Sequence, residues 1–276
     1  MPTRNDGLNE RLKRSMLRHQ INDLVYYRFT SLASYDEIFH GVFTRLGGAS
    51  PFPYDSLNVG HFVGDDREVV ETNHDLICQA LGIARGDITA AQQVHGSQVT
   101  LVGPEDRGRV LPVTDALITD APGVALMLRF ADCLPVLLYD PVHQALSLAH
   151  AGWRGTMARI AVKTALAMVE AYGSRPAEII AGLGPCIGPC CYQVGTEVIE
   201  AVKASFNHWQ ELLHPQGDGS LHLDLREANR RQLTALGVED IEVMQLCTAC
   251  RIDEFFSYRA EGGHTGCFAV VLGKRG

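Results

Sequence analysis

The sequence predicts an α+β fold, a single domain of mixed β-sheets with flanking helices, and three observations carry that reading. Short apolar runs of strand length fill the middle of the chain, and longer stretches with apolar residues at near-helical spacing lie on either side. The two kinds follow one another in irregular order, unlike the βαβ rhythm of a doubly wound sheet. No repeat period or low-complexity linker divides the 276 residues. A chain of this size buries roughly 75% of its unfolded surface.

Met1 to Gln20 carries five basic and two acidic residues and has neither an apolar core nor a cleavage site. It does not read as a secretory signal. Residues 1–38 are expected to be an N-terminal extension, either a frayed tail or a short surface helix using Leu8, Leu12 and Met16. Phe39 to Arg45 reads as a strand entering the turn Leu46-Gly47-Gly48. Asp65 to Leu81 reads as a helix, with Val69, Val70, Leu76, Ile77 and Ala80 at helical spacing and Gly82 as its stop. Gln93 to Val102 alternates weakly and is expected to be a strand.

Val124 to Leu128, Cys133 to Tyr139 and Ala145 to His150 are three short apolar runs, the last two flanking the turn Asp140-Pro141-Val142-His143. A hairpin with that four-residue loop pairs Tyr139 with Gln144 and, counting outward, Cys133 with His150. Beyond His150 the chain turns through Ala151-Gly152-Trp153-Arg154-Gly155 into a helix expected over Thr156 to Tyr172 and closed by Gly173. Glu178 to Leu183 follows as a strand. Thr196 to Phe206 and Asp224 to Leu236 read as helices, Ile241 to Leu246 and Phe268 to Leu272 as strands.

Composition excludes several classes. At 46% hydrophobic and 20% charged residues the chain is neither disordered nor a coiled coil, and a net charge of −8 argues against a nucleic-acid polymer as partner. The longest apolar stretch, Val124 to Tyr139, is interrupted by Arg129 and Asp132, so no membrane span is expected. Eight cysteines without an export signal read as thiols rather than disulfides, and the expected compartment is the cytoplasm.

Cys133 and His150, joined by the hairpin, suit a zinc ion or a Cys–His nucleophile pair, and the pair alone does not choose. His95 in Gln93-Val94-His95-Gly96 supplies a third ligand and would leave the fourth zinc position open. The plainer alternative has Cys133 as a small core side chain and both histidines as hydrogen-bonded residues. Cys247-Thr248-Ala249-Cys250 and the Cys186, Cys190, Cys191 group fit no common zinc knuckle and no thioredoxin-like context, so buried structural thiols are the favoured reading there. The eleven histidines contain no His-x-His pair, a poor supply for a multicopper cluster. Arg154, in the loop leading to the helix, and Arg45, in Phe43-Thr44-Arg45-Leu46-Gly47-Gly48, are candidate anion binders. Asp132 beside Cys133 is a candidate general acid or base, although neighbouring strand residues point to opposite faces.

Taken together, Phe43-Thr44-Arg45-Leu46-Gly47-Gly48-Ala49-Ser50, Ser56-Leu57-Asn58-Val59-Gly60, Val63-Gly64-Asp65-Asp66, Gln93-Val94-His95-Gly96 and Ala131-Asp132-Cys133-Leu134-Pro135 resemble, in order, the motifs of the YfiH-like family. Ala149-His150-Ala151-Gly152-Trp153-Arg154-Gly155-Thr156, Gly184-Pro185 through Tyr192, and Cys247-Thr248 with Phe255-Phe256-Ser257-Tyr258-Arg259 complete the set. This laccase-domain or "polyphenol oxidase" family was later described as multifunctional purine nucleoside phosphorylases. The resemblance covers roughly residues 39 to 273, so 39–276 is read as the catalytic domain. It implies a cytoplasmic α+β fold and zinc held by His95, Cys133 and His150. The implied reactions are phosphorolysis of adenosine, inosine and methylthioadenosine, and hydrolytic deamination of adenosine. Its partners would be a small nucleoside and phosphate. Some members resemble editing hydrolases of peptidoglycan precursors, which is the alternative activity, with a metal-free Cys–His hydrolase as another. Two positions depart from the family pattern: Gln193 where a Glu often follows Tyr, and Cys267 where an Arg usually follows Thr-Gly.

Overall fold

The computed structural model describes residues 16–276, so the helix expected over Leu8 and Leu12 lies outside the described residues. The described chain opens with β1 (Leu17–Ile21) and β2 (Leu24–Arg28), a hairpin whose turn holds Asn22 at φ 54°. Asn tolerates that left-handed conformation, which two-residue hairpins require. α1 (Thr30–Ala33) and β3 (Ile38–Phe43) follow, and β2 pairs antiparallel with β3. From Leu17 onward, then, the segment expected as an extension contributes the edge strand β1 and its neighbour β2 to a sheet.

α2 (Arg67–Leu81) starts where the Asp66 carboxylate accepts from the Glu68 and Val69 N–H groups, and it stops at Gly82 with φ 67°. β4 (Ile88–Ala91), β5 (Val99–Leu101), β6 (Val110–Leu111), β7 (Ala116–Thr119) and β8 (Ala125–Phe130) come next. They are followed by β9 (Leu134–Asp140), β10 (Ala145–Ala151), α3 (Trp153–Met157), α4 (Ile160–Tyr172) and β11 (Ile180–Leu183). The chain then forms β12 (Gln193–Val194), α5 (Thr196–Ser205), β13 (Leu213–Pro215) and β14 (Leu221–Leu223). It closes with α6 (Leu225–Leu236), β15 (Asp240–Val243) and β16 (Phe268–Lys274).

The strands form a seven-stranded sheet β1-β2-β3-β16-β8-β4-β6, a six-stranded sheet β15-β11-β9-β10-β7-β5, and a small sheet β12-β14-β13. Both large sheets mix parallel and antiparallel pairs. Alternation along each strand sorts the core. Leu137, Tyr139, Leu146 and Leu148 of the six-stranded sheet face Val42, Leu128, Phe130, Phe268 and Val270 of the other. From the reverse faces, Val136, Leu138 and Ala149 pack on Ile160, Ala165 and Met168 of α4, and Phe43, Met127 and Val271 pack on Ile77 and Leu81 of α2. The result is two sheets face to face with helices outside them. Strands buried on both faces explain why the central runs are continuously apolar rather than alternating.

Three expectations are corrected. The β9–β10 hairpin forms, but His150 lies opposite Pro135 and Ala145 opposite Asp140, a register two residues away from the expected one. Asp140 stays in the strand because its carboxylate accepts from the Val142 and His143 N–H groups, and Gln144 takes the left-handed position, φ 53°. The strand expected over Gln93 to Val102 shrinks to β5, leaving residues 92–98 as a loop that crosses from one sheet to the other. The helix expected over Thr156 to Tyr172 begins earlier, at Trp153, and breaks at Arg159, φ 61°. Gln232 Nε2 on α6 donates to the Thr156 carbonyl at 3.0 Å, and the Arg159 N–H turns back to the same oxygen. That carbonyl ends one helix instead of continuing it.

Candidate functional site

A register error of two leaves every side chain on its original face. His150 on β10 and Cys133 just ahead of β9 therefore both point into the space between the sheets, on the side of Leu148 and Leu137. The crossing loop brings in His95. One donor atom from each of His95, Cys133 and His150 lies within 4.8 Å of the others. The His95 and His150 rings are 4.8 Å apart and nearly perpendicular, and Phe130 stands against His150 at 5.4 Å. His150 is buried, Cys133 half-buried and His95 exposed, so the trio closes toward the core and opens toward solvent.

Asp115, immediately before β7 and fully buried, organises this site, and the sequence reading missed it. One carboxylate oxygen lies 2.9 Å from His150 Nδ1. An ionised carboxylate only accepts, so Nδ1 carries the proton and Nε2 is left to the site. The same carboxylate accepts from the Val94, His95 and Gly96 N–H groups at 3.1, 3.0 and 2.8 Å. Those three bonds hold His95 at φ 59°, a conformation that costs a non-glycine residue energy unless its surroundings fix it. Burial pushes the Asp115 carboxyl up, but the His150 and backbone hydrogen bonds outweigh it and hold it below the usual range.

Burial likewise pushes the Cys133 thiol up, yet the charge and hydrogen bond of His150, with a second bond from His95, bring it down to about 6. His150 moves the other way. Burial lowers it, while Cys133 and Asp115 raise it to about 9. Each of the two thus favours the charged form of the other. Gly152 lies so close that a Cβ there would stand 3.0 Å from Cys133 Sγ and 3.3 Å from His95 Cδ2. Two imidazoles and a thiolate, one imidazole locked by a carboxylate behind it, form a donor set suited to one borderline-soft divalent ion. Among the described residues, no group of converging donors holds more than two histidines, which fits a single ion better than a copper cluster.

The other expected residues sit differently. Asp132 lies next to Cys133 at φ 91°, but its carboxylate is taken up by Thr248 Oγ1 at 2.6 Å, Ser257 Oγ at 2.7 Å and the Arg259 N–H at 2.7 Å. Those bonds make it an anchor for the 248–259 segment rather than the expected acid or base. The Arg45 guanidinium is buried, donating to the Asp55 and Ile252 carbonyls and to Glu261, and stacking on Phe256 at 4.4 Å. It clamps loops, and its donors are engaged away from an anion. Arg154 is exposed, 4.3 Å over the Trp153 ring and 3.4 Å from Glu197. Thr156 points into the core, where Asn229 Nδ2 donates to its hydroxyl.

At the two departures, Gln193 begins β12 and its carbonyl accepts from Arg259 Nη1 at 2.8 Å. The Cys267 N–H donates to Asn58 Oδ1 at 2.9 Å, and burial pushes the Cys267 thiol up to about 11. The distant cysteines do not behave as one buried set. Cys186 and Cys247 are buried, but Cys190 and Cys250 are exposed.

Comparison with known proteins adds the family. The family described as "Multi-copper polyphenol oxidoreductase laccase" matches residues 39–275. A protein of Bacteroides thetaiotaomicron named purine nucleoside phosphorylase is 38% identical over 248 residues, covering 86% of this chain and 92% of its own. A protein from an unknown prokaryotic organism named adenosine deaminase is 34% identical over 225 residues, covering 77% of this chain and 85% of its own. The crystal structure of YlmD from Geobacillus stearothermophilus superposes with a TM-score of 0.89 at 34% identity, over 95% of this chain and 100% of that one. With its mixed sheets also matching, the chain belongs to the YfiH-like laccase-domain family.

Proposed function

We propose that this chain is a zinc-dependent purine nucleoside phosphorylase, acting on adenosine, inosine and methylthioadenosine, that also deaminates adenosine. The observation that carries the reading is the convergence of His95, Cys133 and His150 with Asp115 behind His150, in a chain whose relatives bear phosphorylase and deaminase names. Those three residues would hold the ion, which supplies Lewis-acid activation of water or of a substrate oxygen.

Asp115 keeps His150 Nε2 turned into the site and pins the loop of His95, so the donors need no rearrangement when substrate arrives. Phe130, buried in the core, packs against the His150 ring. Arg154, in an exposed ion pair with Glu197 and stacked over the Trp153 ring, is the cation this reading assigns to orient phosphate. In phosphorolysis a phosphate oxygen bonds to the sugar C1′ as the C1′–N9 bond breaks, and the departing purine takes up a proton. In deamination water oxygen replaces the C6 amino group, which leaves as ammonia. Asp132, through Thr248, Ser257 and Arg259, keeps the neighbouring segment beside Cys133. Among the described residues no helix is long and apolar enough to cross a membrane, and the eight free thiols suit the reducing cytoplasm.

The test is turnover of inosine with phosphate and of adenosine without it, before and after chelation. Loss of both activities on chelation and recovery with zinc are expected, whereas chelator-insensitive turnover would sink the zinc requirement. The thiolate character of Cys133 favours one second reading, a metal-free hydrolase with Cys133 as nucleophile and His150 as base. On that reading iodoacetamide alkylates Cys133 at the same rate with or without zinc. On ours, zinc protects it.

A further inference from the structure

Four further thiols converge away from this centre. The sulfurs of Cys190, Cys191, Cys247 and Cys250 all lie within 4.8 Å of one another, with Cys190 and Cys191 each 3.4 Å from Cys250. A tetrahedral shell with Zn–S bonds of about 2.3 Å sets its sulfurs roughly 3.8 Å apart, so the four need only a small adjustment to share an ion. We propose that Cys190, Cys191, Cys247 and Cys250 form a second metal site, binding one zinc ion in a closed four-thiolate shell.

The backbone around the cluster supports the assignment. Two donors come from the turn after Gly188 and two from the Cys-x-x-Cys stretch, and the Cys186 and Cys247 segments are joined by a β-bridge. The Gly188 N–H donates to Cys247 Sγ at 3.2 Å, and the Thr248 N–H to the Cys186 carbonyl at 3.1 Å. A hydrogen bond to sulfur favours the thiolate, the form that binds metal. The backbone at Gly188 approaches the cluster closely. A Cβ there would meet Arg226 Nη2 at 2.9 Å, Cys247 Cβ at 3.3 Å and Cys190 Sγ at 3.4 Å.

Burial argues the same way. Cys186 is a core thiol, whereas Cys190 and Cys250 are exposed and contribute little to packing. Exposed thiols meeting at one point, in segments with almost no regular structure, are what a cross-linking ion would organise. The ion would also act at a distance. Thr248, between the two cysteines of Cys-x-x-Cys, donates to Asp132 beside Cys133, so fixing this loop fixes the residue behind a ligand of the other centre.

The experiment counts zinc in full-length protein purified under reducing, anaerobic conditions. About two ions per chain are expected, falling to about one in Cys250→Ser, in Cys190→Ser and, from the other centre, in Cys133→Ala. In cobalt-substituted protein the intense near-ultraviolet thiolate-to-metal band should survive Cys133→Ala and collapse in Cys250→Ser. Unchanged zinc in the folded Cys250 and Cys190 variants would overturn the site. So would a disulfide among these four cysteines in the native anaerobic protein, found by mass spectrometry after alkylation. Should the variants fail to fold, cobalt titration of metal-stripped wild type decides, because a band no stronger than one thiolate gives rules out the four-sulfur shell. Loss of the phosphorylase reading would leave the count at Cys190 and Cys250 untouched.

Discussion

The His95–Cys133–His150 centre and the four-cysteine cluster use the same sulfur chemistry in opposite surroundings. The first hangs on strands and a loop braced by a buried carboxylate, with Gly152 opening room beside the sulfur and His95 facing solvent. The second hangs on two loops, offers four like donors and leaves no position for a substrate. Three ligands of mixed type with an open side suit reactivity, and four thiolates suit cross-linking. The two are linked through Thr248 and Asp132, so altering each in turn separates chemistry from scaffolding.

The largest effect should come from Cys133→Ala. Removing a ligand of the open centre is expected to lower kcat/KM for phosphorolysis by roughly a thousandfold, since metal activation contributes several kcal/mol at about 1.36 kcal/mol per decade. Cys250→Ser should instead act mainly on the melting temperature. If the two variants lose activity equally with no difference in thermal stability, the division of labour between the two clusters fails.

Asp115→Asn comes next. It preserves size but removes the charge behind His150 and turns an acceptor into a donor toward at least one of the N–H groups of residues 94–96. Metal affinity at the open centre should weaken by about 10- to 100-fold in chelator competition. Affinity at the four-cysteine cluster should not move, and a parallel drop there would show that the effect is general loosening.

How much of this was legible in the sequence follows from the range of each interaction. The pairing of Cys133 with His150 rests on alternation within a hairpin, and its face tolerated a register error of two. His95 was legible as a residue type beside Gly96, but not in its loop conformation, because that conformation is imposed by Asp115, twenty residues further along the chain. Asp115 itself sits in an apolar stretch with no local partner to betray it. The break at Arg159 depends on Gln232 of α6, and the edge hairpin on polar residues Arg18 to Gln20 that carry no strong strand pattern. The cysteine cluster joins segments whose spacing follows no knuckle, and they meet only in the fold, through the β-bridge between Cys186 and Cys247 and the convergence of four sulfurs.

Asp132→Asn tests the link between the two regions. Its carboxylate accepts two hydroxyls and a backbone N–H, and an amide can replace only part of that set. A loss of about 1–3 kcal/mol in chemical denaturation is expected for the donor left unpaired. Zinc content at both centres should stay near that of the wild type. A general acid at this position would show a different signature, namely a collapse of kcat with stability unchanged.

Arg154→Ala should have the smallest effect and the most specific one. The side chain is exposed and makes only a 3.4 Å contact to Glu197 and a stack over the Trp153 ring, so its removal costs the fold little. If it orients phosphate, KM for phosphate should rise near fivefold, about 1 kcal/mol, while adenosine deamination proceeds at its original rate. Equal losses in the two reactions would remove Arg154 from the phosphate site. The comparison works because, on the proposed reading, both reactions use the metal centre and only phosphorolysis needs an anion held beside it.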